Sequence, residues 1–207
     1  MAQFFQIHPV NPQPRLIRRS VEILLAGGII VYPTDSSYAL GCQLGEKDAM
    51  ERIRRIRQLD DKHNFTLVCR DLSEITSYAK IDNLAFRLLK SLTPGPYTFI
   101  HEATKLVPRR MLNPKRKAIG IRVPDNEICR ALLQELDQPI LSTTLMLPGH
   151  EHPLTDPEEM RDILDKLVDL VIDGGFCGLD ATTVVDMIAE PPEVIRVGKG
   201  DASQFEQ

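Results

Sequence analysis

The sequence predicts an α/β fold: one domain built on a twisted, open, mixed sheet flanked by helices. Three observations carry this. A short, continuously apolar run, Ile29 to Tyr32, sits directly behind Gly27-Gly28 and an amphipathic segment, the pattern of a strand covered on both faces. Further short strands and helical segments alternate only partly, which fits a mixed sheet better than a pure βαβ array. Finally, 207 residues contain no Gly/Ser-rich or Pro-rich linker, so residues 1–207 are read as a single domain with a core from about 14 to 200.

From the N-terminus, Pro14 to Ala26 is a helix, because Leu16, Ile17, Ile23 and Leu24 recur at helical spacing and Gly27 stops it. Residues 28–33 form the first strand. Lys47 to Arg57 is a second helix with Met50, Ile53 and Ile56 inward, and Phe65 to Cys69 a strand. Asp82 caps a helix running to Ser91, before Thr93-Pro94-Gly95-Pro96. Strands follow at Tyr97 to His101 and Ala118 to Val123, a helix at Asn126 to Leu136, and a strand at Pro139 to Thr143. Thr155-Asp156-Pro157-Glu158 starts a helix that reaches about Leu167. Val168 to Ile172, Thr183 to Asp186 and Glu193 to Val197 are the closing strands.

Composition narrows the function classes. The longest apolar run, Ile23 to Tyr32, is split by two glycines and falls far short of the roughly 20 residues that span a bilayer. The N-terminus lacks the basic-then-apolar pattern of a secretory signal. The cysteines, Cys42, Cys69, Cys129 and Cys177, are scattered, with no CxxC pair, which suits reduced buried thiols. A cytoplasmic monomer without a membrane partner is expected. Net charge is −4, yet basic residues gather at Arg15, Arg18 and Arg19, at Arg52 to Arg57, and at Lys105, Arg109, Arg110, Lys115, Arg116, Lys117 and Arg122. If these three groups share a face, they make a positive patch on an acidic protein.

No metal motif, P-loop or GxGxxG is present. His150-Glu151-His152 lies in a Pro/Gly loop, with its histidines too close for helical i, i+4 ligation, and no metal site is assigned. Polar residues do gather where strands end: Thr34 to Tyr38 after the first strand, Ser142-Thr143-Thr144 at the end of another, and Ala181-Thr182-Thr183 at the start of a third, with Arg122 and Arg196 on neighbouring strands. In open α/β sheets ligands bind beyond strand ends, and hydroxyls and free N–H groups suit an amino acid or a phosphate.

Six segments resemble, in order, the motifs of the YrdC/YciO family: residues 31–42 (VYPTDSSYALGC), Thr93 to Thr98 (TPGPYT), Gly120 to Pro124 (GIRVP), Asp173-Gly174-Gly175, Thr182 to Asp186 (TTVVD) and Ile195 to Gly198 (IRVG). The resemblance implies a twisted open sheet with a positively charged cleft. It implies an activity too: synthesis of threonylcarbamoyl-AMP from threonine, bicarbonate and ATP, the first step toward threonylcarbamoyladenosine in tRNA. It places Thr34 and Tyr38 at an amino-acid pocket and Thr98, Arg122, Ser142, Thr144, Thr182 and Arg196 around substrate and nucleotide. Arg57 and Lys62 stand in the catalytic positions, with Mg²⁺ accompanying ATP.

The chain departs from the pattern in two places. Where the family has KxRxxxKPL, residues 57–65 read RQLDDKHNF, so the arginine becomes Leu59 and the second lysine His63; where it has STSAN, Ser142 to Met146 put Met146 for the asparagine. These departures are similar to those of the YciO branch. Two readings follow: a nucleotidyltransferase of weakened or altered synthase activity, and a non-catalytic protein that binds double-stranded RNA or tRNA through Arg109, Arg110, Lys115, Arg116 and Lys117. Aromatic residues are scarce, at 5% with no Trp, which favours backbone recognition over base stacking.

Overall fold

Alternation along the strands assigns each side chain to one of two faces, and the helices follow from that assignment. The computed structural model describes residues 1–60, 63–112 and 116–205. In chain order the elements are β1 (Gln3–Gln6), α1 (Pro14–Leu25), β2 (Ile30–Tyr32), β3 (Ala39–Gln43), α2 (Lys47–Arg57), β4 (Thr66–Val68), α3 (Leu72–Tyr78) and α4 (Asn83–Leu92). They continue as β5 (Tyr97–Glu102), β6 (Ala118–Arg122), α5 (Glu127–Leu136), β7 (Ile140–Thr144), α6 (Pro157–Leu164), β8 (Leu170–Asp173), β9 (Thr183–Asp186) and β10 (Glu193–Arg196). The strands form one mixed sheet in the order β1-β8-β2-β3-β7-β4-β6-β5-β9-β10.

On one face Ile30, Tyr32, Ile140, Leu170 and Ile172 pack under Ile17, Val21 and Leu24 of α1 and Ile128, Leu132 and Leu136 of α5. On the other, Val31, Leu40, Leu67, Leu141, Ile121, Phe99 and Val185 meet α2, α3, α4 and α6 through Met50, Ile53, Ile75, Leu89, Met160 and Leu164. The second layer runs from β8 to β9. The first ends near β7, and beyond it the same face continues as Thr66, Gly120, Arg122, Thr98, Ile100 and Val184, which line a cavity. Incomplete helical cover therefore creates the cleft.

Local signals explain the ends. Pro14 opens α1, and Gly27 follows it at φ +80°, a conformation glycine adopts without penalty. The Asp71, Asp82, Asn126 and Asp156 side chains accept backbone N–H groups at the starts of α3, α4, α5 and α6. α2 ends in a Schellman motif: Gln58 lies in the left-handed region at φ 51°, its N–H donates to the Arg55 carbonyl, and the Leu59 N–H donates to that of Arg54.

Several expectations need correction. The sheet begins at Gln3 rather than at residue 28, because β1 pairs in parallel with β8; its apolar pair Phe4-Phe5 is too short to show a period. β3 and α3 were not anticipated, and α6 stops at Leu164 instead of Leu167. The three basic groups do not share a face. Arg15, Arg18 and Arg19 ride on α1, whereas Arg52 to Arg57 ride on α2, packed on the opposite side of the sheet. No helix among the described residues is long and apolar enough to cross a membrane.

His101 lies on the core face of β5, 3% exposed, and its Nε2 has no partner among the described residues. Burial lowers its pKa from 6.5 to about 4, against a hydrogen bond to the Lys80 backbone and the charges of Asp82 and Asp186. Because the folded value is depressed, the unfolded chain takes up this proton first. Its contribution to stability is thus present above pH 6.5 and lost as the pH falls from 6.5 toward about 4. Chemical denaturation of His101→Asn over that window should show a pH slope shallower than wild type by up to about 1.4 kcal/mol per pH unit. Identical slopes would mean that His101 does not titrate in this way.

Candidate functional site

The cleft is a cavity of about 320 Å³ on the uncovered face, within the roughly 300–1,000 Å³ range of small-molecule sites. Strand pairing sets its floor. Thr66 of β4 stands opposite Ser142 of β7 on one side and Gly120 of β6 on the other, and Ile100 of β5 stands opposite Gly120. Gly120 gives the floor its depth, since a Cβ there would lie 3.0 Å from Thr66 Oγ1 and 3.1 Å from Thr98 Cγ2. Gly41 plays a related part in β3: it leaves room for the Tyr32 ring, whose hydroxyl donates to Ser142 Oγ at 2.7 Å. Ser142 in turn donates to the Leu40 carbonyl at 3.0 Å.

The loop after β2 forms one wall. Thr34 Oγ1 donates to the Ser37 carbonyl at 2.6 Å and accepts from the Ser36 and Ser37 N–H groups at 3.2 Å, a side-chain turn typical of this residue type. Arg122, at the end of β6, reaches into this turn. Its Nη2 bonds Asp35 in a buried ion pair and also meets Ser36 Oγ at 2.9 Å and Thr34 Oγ1 at 3.2 Å. Its Nε is buried with no partner among the described residues, and the residue lines the cavity.

A second cation stands nearby. Arg196 donates through Nε and Nη2 to the Thr182 carbonyl at 3.1 and 2.9 Å, and Nη2 also meets Thr182 Oγ1 at 3.2 Å. Thr182 and Thr98 share a hydroxyl contact of 2.9 Å. Burial, and secondarily the charge of Arg122, lowers the Arg196 pKa. A guanidinium whose charge is disfavoured by burial and by a neighbouring guanidinium is a natural seat for an anion, which relieves the repulsion. The described lining residues include no carboxylate.

The opposite wall was only partly foreseen. His63 and Asn64 line the cavity. His63 Nε2 lies 3.2 Å from Thr143 Oγ1, and its ring meets Phe65 edge-on at 5.7 Å. Burial first, then Arg57 and Arg54, lower its pKa, while Asp60 opposes them. Arg57 itself is half-buried, its Nε unpartnered among the described residues, and burial lowers its pKa.

The cleft thus brings Thr98, Arg122, Ser142, Thr144, Thr182 and Arg196 together. Thr34 sits behind Arg122. Tyr38 points elsewhere, its hydroxyl donating to the Gly175 carbonyl at 2.6 Å and accepting from the Gly174 N–H at 3.1 Å. Lys62 and Lys115 lie outside the described residues. Leu59 packs against the core beside α2, and neither it nor Met146 lines the cavity. Thr66 was missed because one hydroxyl in a three-residue strand carries no motif; its position opposite Gly120 becomes visible only through register. Away from the cleft, Arg109 and Arg110 line a surface depression with Lys47, Glu51 and Arg54 along α2, with Arg110 bonded to the Gly45 carbonyl. Arg116 pairs with Asp186 at 2.6 Å, and Lys117 adopts φ 51° just before β6. No three His, Cys, Asp or Glu side chains converge on a metal-sized position among the described residues.

Comparison places these features among known proteins. The profile of the Sua5/YciO/YrdC family (telomere recombination) matches residues 22–198. The chain is 60% identical to YciO of Escherichia coli K12 over 205 residues, covering 99% of this chain and 100% of that one. It is 58% identical to a Haemophilus influenzae protein over 206 residues, with the same coverage. The crystal structure of E. coli YciO matches with a TM-score of 0.96 over 100% of both chains. That of P. abyssi Sua5 complexed with L-threonine matches with a TM-score of 0.89 at 22% identity, covering 98% of this chain and 59% of that one, a likeness of fold.

Removing one partner of a buried ion pair leaves an uncompensated charge, which costs about 3–5 kcal/mol. Asp35→Asn should therefore lower the unfolding free energy by about 3 kcal/mol, and Tyr32→Phe, which deletes one neutral hydrogen bond, by about 1 kcal/mol. Urea titration of both variants checks this. Equal effects, or a wild-type midpoint for Asp35→Asn, would contradict the assigned weight of the Arg122 pair.

Proposed function

The chain belongs to the Sua5/YciO/YrdC family, and on that premise we propose that its cleft binds a nucleotide with an amino acid and supports a weakened or altered form of threonylcarbamoyl-AMP synthesis. The observation that carries this reading is the pair of neighbouring arginines, Arg122 and Arg196, set among the hydroxyls of Thr66, Thr98, Thr144 and Thr182 over a floor opened by Gly120. In the reaction, the amine of threonine captures carbon dioxide as a carbamate. A carbamate oxygen attacks the α-phosphorus of ATP, and pyrophosphate leaves. Charge spreads over phosphate oxygens throughout, so positioning and cations matter more than acid–base groups. Mg²⁺ enters with ATP as part of the substrate, held by phosphate oxygens and water.

Arg122 and Arg196 are assigned to the anionic groups. Thr98 and Thr182 orient Arg196, while His63 lines the polar end of the cleft and Arg57, outside the lining, lies near enough to lower the His63 pKa. Leu59 and Met146 stand where the family pattern has two donors, at positions outside the cavity lining; where such a donor serves a phosphate site, its loss typically slows a reaction by roughly 10²–10³. Slow turnover with retained binding is the expected balance.

A second reading rests on the meeting of Arg109 and Arg110 with Lys47 on one surface, beside the Arg54–Glu51 pair. This cluster would hold the backbone of structured RNA through phosphates, independently of sequence. Affinity for double-stranded RNA should then fall steeply between about 50 and 200 mM salt. Replacing Arg109 and Arg110 by Ala should flatten the salt slope by up to about one unit per lost phosphate contact. An unchanged slope would remove this surface from consideration.

For the leading reading, protein supplied with ATP, threonine, bicarbonate and Mg²⁺ should release pyrophosphate slowly and in a threonine-dependent manner. Arg196→Gln should weaken ATP binding at least about tenfold by calorimetry, as expected for the loss of a charged hydrogen bond. No ATP binding, together with pyrophosphate release equal to buffer, would refute it.

A further inference from the structure

Successive side chains of a strand point to opposite faces, yet Ile195 and Arg196 both line the cleft. A break in register explains this. Val194 stands opposite Val185 and Arg196 opposite Val184, so Ile195 on β10 faces no residue of β9. This is a β-bulge, a device that re-aims a side chain and is enriched beside functional sites.

The residue so placed is a large aliphatic one, 54% exposed on an edge strand. β10 carries the charges and follows the prolines by which an edge strand guards against unwanted pairing, Glu193, Arg196 and Pro191-Pro192; an exposed isoleucine among them adds nothing to that guard. Its surroundings supply a use. Ile100 of β5 and Val184 of β9 line the same cavity, whereas His63, Asn64, Thr66 and Thr144 line it with polar groups. Arg196 follows Ile195 directly, so one short segment offers an apolar contact and a cation side by side.

We propose that Ile195 is a specificity-determining residue: with Ile100 and Val184 it forms the seat of the nucleobase, while Arg196 takes the anionic part of the same ligand. The assignment rests on the nucleotide reading above and adds where the base lies. A nucleobase has flat, weakly polar faces that gain from covering aliphatic side chains, and small apolar contacts in a pocket discriminate ligands by about tenfold or more.

Calorimetry with ATP and with inorganic triphosphate, which has the anion but no base, tests it. The wild-type protein should bind ATP at least about tenfold more tightly than triphosphate. Ile195→Ser should weaken ATP by about tenfold and leave triphosphate unchanged, while Ile195→Val should keep ATP within about twofold. Because the side chain is half-exposed, both variants should fold, with circular dichroism and thermal melting as the check. Equal wild-type affinity for the two probes, or an Ile195→Ser variant that weakens both or neither, would overturn the seat while leaving the anion site intact. Binding of neither probe to the wild-type protein would overturn the nucleotide reading and the seat with it.

Discussion

The guanidinium of Arg122 is the joint on which the site depends. It sits at the end of β6 and holds the turn after β2 through Asp35, Thr34 and Ser36. The same turn is tied from behind, where Cys129 of α5 bonds the Pro33 carbonyl and Lys199 reaches the Asp35 carbonyl at 2.5 Å. Three distant stretches of chain meet at one buried cation. The freedom an arginine loses on ordering, about 2 kcal/mol of rotamer entropy, is already lost on folding. A ligand arriving at this wall meets a fixed donor, and preorganisation of that kind favours affinity.

The cleft follows from a shortage of cover. α1 and α5 protect one half of a sheet face, and the residues on the remaining half become polar or small where the helices stop. Gly120 and Gly41 show how fine this balance is: a methyl group at Gly41 would collide with Ile140 and Tyr32, and one at Gly120 would crowd Thr66 and Thr98. The Tyr32 ring over Gly41 also takes up Ser142, whose hydroxyl is engaged as both acceptor and donor. Ser142 therefore shapes the floor, while Thr144 and Thr66 present hydroxyls with fewer commitments.

Much of this was legible in the sequence, and the failures have physical reasons. Helices α1, α2, α4 and α5 show themselves because each carries a periodic apolar stripe between recognisable start and stop residues. The strand-end clusters containing Arg122, Ser142, Thr182 and Arg196 were visible because polar residues interrupt apolar runs there. Tyr38 could not be separated from them, since only the structure reveals that its hydroxyl turns to Gly174 and Gly175. That the basic groups do not share one face also escaped the sequence, because it depends on which side of the sheet a helix packs. Leu59 shows a further limit. As the residue after the left-handed Gln58, it closes a helix end and covers the core, so a change that reads as a lost functional group is also a gain in local packing.

The first strand carries a consequence for how the protein comes into being. β1 can pair only with β8, Gln3 opposite Leu170, and nearly the whole chain separates them. At synthesis rates of roughly 5–20 residues per second, Phe4 and Phe5 wait about ten to thirty seconds for their partner to be made. Helices α1 and α2 can form from local contacts at once, but this edge of the sheet closes only after β8 is made, as non-local pairing demands. Until β8 is made, β1 is without this partner and its aromatic pair is open to any competing β-edge.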